Sequence, residues 1–186
     1  ALVTAAGAAP RELVVLSGKG GTGKTSLAAS FAALGRPCVV ADCDVDAADL
    51  HLVLGPRVLE RHEFRSGEDA VVRQGDCTGC GDCLARCRFD AISEAGGGAV
   101  PASVRVDPLA CEGCGVCARF CPAGASGMRE RVCGEWMVSE TRCGPLVHAR
   151  LAIGSGSSGK LVSTVRQAAR RLAEERGDAL VIVDGP

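Results

Sequence analysis

The chain has 186 residues, 47% of them hydrophobic, enough for one or two domains with a buried core. A net charge of −1 provides no field for nucleic acid or anionic lipid, and 3% aromatics without a Tyr leave little for base stacking. No apolar run approaches the ~20 residues that span a membrane, so a membrane segment is not expected either.

Residues 1–10 are small and apolar but lack a basic n-region, and read as a flexible tail rather than a signal peptide. Residues 12–17 are a short apolar run ending in glycines, predicted as a buried strand. Residues 25–34 hold helix formers with Gly35 as the stop, and residues 37–41 form a second buried strand that runs into an acidic loop. Strand, helix, strand in this order predicts a parallel βαβ unit. From residue 67 to 128 the chain turns rich in Cys and Gly, with a loop at Gly96 to Gly98. Beyond Cys143 the pattern of strands and helices returns. Residues 146–153 read as a strand, 154–159 as a Gly/Ser loop, 160–176 as an amphipathic helix and 179–183 as a buried strand ending at Asp184. The expectation is an α/β domain, residues 1–66 and 131–186, interrupted by a small insert at 67–130.

The loop after the first strand carries the most specific motif. Gly18-Lys19-Gly20-Gly21-Thr22-Gly23-Lys24-Thr25, followed by Ser26, fits G-x-x-x-x-G-K-[ST] between a predicted strand and a predicted helix. Glycines let backbone N–H groups wrap phosphates, and the helix N-terminus adds roughly half a positive charge. Lys24 is expected to meet the β- and γ-phosphates of ATP, and the Thr25 hydroxyl to ligate Mg²⁺. A second match at Gly154 to Lys160 has Leu161 in place of the hydroxyl residue, and reads as a loop leading into a helix.

Lysine usage sharpens this. Arg outnumbers Lys 18 to 3, yet Lys19 and Lys24 share one short stretch. Lys-Gly-Gly-Thr-Gly-Lys-Thr resembles the deviant phosphate loop of the MinD/ParA/nitrogenase-iron-protein superfamily. The resemblance implies that Lys19 reaches across a dimer, a homodimer or a paralogue heterodimer, to the partner's nucleotide. It extends to Asp42-Cys43-Asp44-Val45-Asp46. There it implies that Asp44 orients or activates the attacking water and Asp42 supports the Mg²⁺ shell, with Asp46 and Asp49 on the first switch. Residues 181–186 resemble the Walker B strand, with Asp184 holding Mg²⁺ through water. That fold has further strands and adenine-binding segments, so the chain is expected to be an N-terminal portion.

The chain has twelve cysteines, and eight of them form a repeat. A shift of 34 superposes Cys77, Gly79, Cys80, Gly81, Cys83, Cys87 and Ala91 on Cys111, Gly113, Cys114, Gly115, Cys117, Cys121 and Ala125. Each half reads C-x2-C-x2-C-x3-C, the run of two-cluster ferredoxins, where the fourth Cys serves the other cluster. One 4Fe–4S cluster is expected on Cys77, Cys80, Cys83 and Cys121, and a second on Cys111, Cys114, Cys117 and Cys87. Zinc ribbons also use paired C-x2-C motifs, but they leave the third Cys without a task. Disulfides are rare in the reducing compartment that a nucleotide-binding loop implies. With few large apolar residues in the insert, the clusters are expected to act as its core. Cys38, Cys43, Cys133 and Cys143 read as packing residues or free thiols, and Trp136 as packing. His51, His62 and His148 show no ligand spacing.

The order of phosphate loop, acidic loop, cysteine insert and Walker B strand resembles MinD-superfamily ATPases with an inserted bacterial-ferredoxin-like α+β domain. It implies a cytoplasmic ATPase that couples ATP to electron transfer with a redox partner protein. Two other functions fit the motifs: a carrier or scaffold for iron–sulfur assembly, and a MinD-like spatial regulator.

Overall fold

The computed structural model describes residues 9–19, 21–96, 103–156 and 158–185. The proposed N-terminal tail lies outside them, apart from its last two residues, as do Gly20 and most of the Gly96–Gly98 loop. In chain order the elements are β1 (Arg11–Val15), α1 (Lys24–Leu34), β2 (Val39–Asp42), α2 (Leu50–Leu54), β3 (Arg57–Val72), α3 (Asp82–Arg86) and β4 (Ile92–Glu94). Then follow β5 (Val104–Val106), α4 (Val116–Arg119), β6 (Ser126–Thr141), β7 (Gly144–Leu151), α5 (Ser158–Arg176) and β8 (Leu180–Asp184). The chain divides into two compact units, one of Ala1–Phe64 with Cys133–Pro186, the other Arg65–Val132.

In the first unit the strand order is β1-β8-β2-β7-β6-β3. β1, β8, β2 and β7 run parallel, and β6 pairs antiparallel with β7. This is an α/β fold with a mostly parallel sheet. β2 shows why: all four residues of Val-Val-Ala-Asp are buried, as a strand covered on both faces requires. Val39 and Ala41 pack with Leu161, Val165, Ala169 and Ala173, one stripe of α5. Val40 packs on the opposite face with Ala28 and Ala32 of α1 and with Leu50 and Leu54 of α2. Cys43 and Cys133 sit in the first cluster, Cys38 and Cys143 in the second. Burial pushes the Cys38 thiol up to about 11 and the Cys43 thiol to about 12, so both are neutral packing groups.

Three elements differ from the sequence expectation. β1 was expected to be buried, but it stands at the edge of the sheet with Leu13 and Val14 exposed. β3 and β6 each run for 16 residues, where neither was expected to be a strand. β3 alternates poorly because it is an edge strand rich in charge. Its charges are used across the sheet instead. Arg57 pairs with Glu140 at 2.7 Å and Arg61 with Glu135 at 3.1 Å. His62 stacks on Trp136 with ring centroids 4.0 Å apart.

In the second unit, β4 and β5 form a two-stranded antiparallel ladder. α3 and α4 each follow a left-handed glycine, Gly81 and Gly115, at equivalent positions of the repeat. The apolar core is small: Ala70, Ala91, Ile92, Val104, Cys111 and Cys117, with Cys77, Cys83 and Cys87 packed against it. Thiols thus make up much of what this unit buries.

His148 is the one buried histidine. It lies on β7, 6% exposed, with Nε2 2.8 Å from the Ser139 hydroxyl and its ring 6.2 Å from that of His51. Burial, then His51, Arg61 and Arg150, lowers its pKa to about 4, against a weaker pull upward from Glu135. An unfolded chain takes up this proton near pH 6.5, the folded chain near 4. The stability it contributes is therefore complete above 6.5 and lost as pH falls towards 4, roughly 3 kcal/mol in all. His148→Gln keeps a polar partner for Ser139 without that titration. Its urea midpoint should fall less than the wild type's between about pH 7 and about pH 5. Parallel falls would show that His148 is protonated in the fold.

Candidate functional site

The first site gathers at the carboxyl ends of β1, β2 and β8, where parallel sheets place their ligands. Gly21 and Gly23 have φ of 76° and 84°, so the loop turns where other residues would be strained. Gly23 precedes α1, whose first turn has no acidic residue and no side-chain cap. The N–H groups there are left for an anion. A Cβ built on Gly18, Gly21 or Gly23 would meet nothing within 4 Å. The space over the loop, about 520 Å³, is lined by Ser17, Thr22, Gly23, Lys24, Ser26 and others. It is room for phosphates.

Lys24 is held on the other side. Its Nζ donates to Asp44 Oδ2 at 2.6 Å and to the carbonyl of Gly185. Asp44 is positioned in turn by its own N–H, which donates to Asp42 Oδ1 at 3.2 Å. The other Asp42 oxygen accepts the N–H of Leu50, the first residue of α2, also at 3.2 Å. Asp42 therefore ties the acidic loop to the helix that follows it. It is fully buried and its strand neighbour is Asp184, so burial and that second carboxylate raise its pKa to about 7.

Asp184 is 1% exposed. Burial raises its pKa most; a hydrogen bond from Thr25 and the charge of Lys24 oppose this. Its Oδ1 is buried without a hydrogen-bond partner, among the described residues. A buried carboxylate oxygen with a free lone pair beside a hydroxyl is a fitting donor set for Mg²⁺. Thr25 and Asp184 would hold the ion, with Asp42 behind them. Lys19 is exposed, as are Asp46 and Asp49, and Asp49 makes no side-chain capping bond to α2 among the described residues. The carbonyl of Gly185 was not foreseen, because no side chain marks a backbone acceptor.

The second unit holds the repeat cysteines, and they fall into two sets of four. Cys77, Cys80, Cys83 and Cys121 line one small pocket, with Pro122, Val104 and Ala125. Cys87, Cys111, Cys114 and Cys117 line another, with Ala70, Ile92 and Val106. Each pocket takes three thiols from one repeat and the fourth from the other. Among the described residues no three His, Cys, Asp or Glu side chains converge on a position for a single metal ion. Burial raises the Cys83 and Cys117 thiols, whereas backbone N–H groups, that of Ser126 foremost, lower Cys121. Arg131 bridges Asp69, at 2.5 Å, and the carbonyl of Cys111. Gly113 has φ of 66°, and a Cβ there would run into the Glu68 carbonyl.

A strand-loop-helix phosphate cradle with two buried carboxylates on neighbouring parallel strands defines a nucleotide-binding domain of the P-loop class. The chain belongs to the CobQ/CobB/MinD/ParA nucleotide binding domain family, whose model matches residues 13–182. It is also similar to an uncharacterized protein of Methanocaldococcus jannaschii, 33% identical over 179 residues. That alignment takes in 94% of this chain and 59% of the relative, so the chain spans little more than half the length of the relative it matches.

In this geometry Asp44 competes with phosphate for Lys24 and repels it directly. Asp44→Asn should therefore bind MgATP several-fold more tightly, about 1 kcal/mol, as read by calorimetry. Unchanged or weaker binding would mean that Asp44 does not face the phosphates.

Proposed function

We propose that the protein is an ATP-dependent iron–sulfur redox protein. It would bind MgATP at the phosphate loop and hold two 4Fe–4S clusters on the repeat cysteines. The observation that carries this is the partition of eight thiols into two pockets, three from one repeat with one from the other. Two-cluster ferredoxins ligate their clusters in that pattern. A third Cys at two-residue spacing in each repeat suits a cluster, whereas a single zinc needs four sulfurs about 2.3 Å from one point, and no such convergence is present among the described residues. The clusters, when bound, supply one-electron transfer. The apolar lining of each pocket would exclude water, and the core of thiols would make folding of this unit depend on iron.

On the nucleotide side, Lys24 would meet the terminal phosphates and Thr25 with Asp184 would hold Mg²⁺. Asp44 would orient the water. Exposed Lys19 would reach a second subunit in a nucleotide-bound dimer, homodimeric or with a paralogue. ATP hydrolysis would set when electrons pass to a redox partner. A reducing, cytoplasmic setting suits both sites, and no helix among the described residues is long and apolar enough to cross a membrane. A second reading, a carrier that hands clusters to apo acceptors, draws on the exposure of Cys80 and Cys114.

Anaerobically prepared protein should carry about eight irons per chain and Cys121→Ser about four, because one pocket loses a ligand and the other keeps all of its own. Lys24→Ala should abolish ATP binding and keep the iron. EPR-monitored redox titration with and without MgATP tests the coupling: shifted midpoints are expected. Midpoints that ignore nucleotide, with hydrolysis that ignores reduction, would refute it. Rapid loss of iron and sulfide to an apo acceptor would favour the carrier.

A further inference from the structure

The first unit contains a larger cavity, about 670 Å³, that neither phosphate nor cysteine chemistry uses. Val147 and Ala149 of β7 pack towards α5, so His148 and Arg150 face the other side of the sheet. There the cover is thin, because α2 is only five residues long. The cavity opens beside it, walled by His51, Arg61, Met137, His148 and Arg150, and Gly154 with Ser155 closes the rim. These last two begin the Gly/Ser loop that imitates a second phosphate motif. Its volume is in the range of small-molecule sites, and Val45, Val58 and Met137 give it apolar walls.

The charges are unevenly used. Glu135 is bonded by Arg61 Nη1 at 3.1 and 3.2 Å. Arg150 has no ion pair among the described residues, although Glu135 is its register partner on β6. Asp46 stands exposed on the rim. Burial first, then His51, Arg61 and Arg150, oppose protonation of His148, and Glu135 favours it, so two guanidinium groups lie at the cavity wall.

We propose that this cavity binds a small organic anion, a carboxylate or phosphate on an apolar body, with the anionic group on Arg150, Arg61 and His51. Guanidinium forks match both anions, and the apolar walls take the rest of the molecule. The site is independent of whether the second unit holds iron. It shares the loop around Val45 and Ala48 with the nucleotide site, where Asp44 grips Lys24.

The chain has three histidines, and two of them line the cavity. The third, His62, stacks on Trp136 outside its lining and serves as an internal control. Imidazole NMR signals of the whole chain are titrated with hexanoate, hexyl phosphate and uncharged hexanol. Both anions, or one of them, should shift His51 and His148 and leave His62 unmoved, and hexanol should do neither; the stronger anion identifies the headgroup. Arg150→Gln, with folding checked by circular dichroism, should weaken binding at least about tenfold. Arg61→Gln should weaken it too, which guards against one poorly folded variant. Shifts common to all three histidines, no shift with either anion, equal shifts with hexanol, or undiminished binding by both variants would each overturn the proposal.

Discussion

The geometry of the nucleotide site depends on two carboxylates forced together. β2 and β8 are parallel neighbours whose register places Asp42 beside Asp184, both essentially buried. Two buried anions side by side repel, and each needs compensation. Asp42 obtains it from the backbone N–H groups of Asp44 and Leu50, which draws the acidic loop back over the sheet. Asp184 obtains it from Thr25 and Lys24, which draws the phosphate loop in from the other side. Thus the repulsion organises both loops. Asp184 Oδ1, without a hydrogen-bond partner among the described residues, is the oxygen that would be left to hold Mg²⁺.

The same economy runs through the first unit's edge. A parallel core demands apolar residues on both faces, and Val39 to Ala41 supply them. At the far edge the chain uses ion pairs between β3 and β6 instead of apolar burial. Exposed pairs of this kind contribute about 0–1 kcal/mol each, so they select register more than they add stability.

That contrast explains what could be read from the sequence. β2 and β8 were legible because buried parallel strands are uninterrupted apolar runs, and α5 because its apolar stripe recurs at helical spacing; β1 was found by the same apolar run, but as the edge strand it is mostly exposed. The phosphate loop was legible because all its parts are local. β3 was not, since Arg57, Glu60, Arg61 and Glu63 break any alternation, and Arg57 and Arg61 acquire Glu140 and Glu135 as partners only once β6 lies alongside. The cavity wall was equally hidden. His51 and His148 lie far apart in the chain, and nothing local links either to Arg61 or Arg150. For Asp42, sequence placed the residue at a strand end, but its hold on Leu50 is a matter of tertiary geometry.

The exchange of the fourth thiol between the cysteine repeats has a topological consequence. Cys87 lines the pocket of the later repeat and Cys121 that of the earlier one. Neither half completes a pocket alone, for each carries three thiols of its own pocket and finds the fourth in its sibling. If the repeat arose by duplication, its single ancestor had to meet a second copy of itself to complete either pocket.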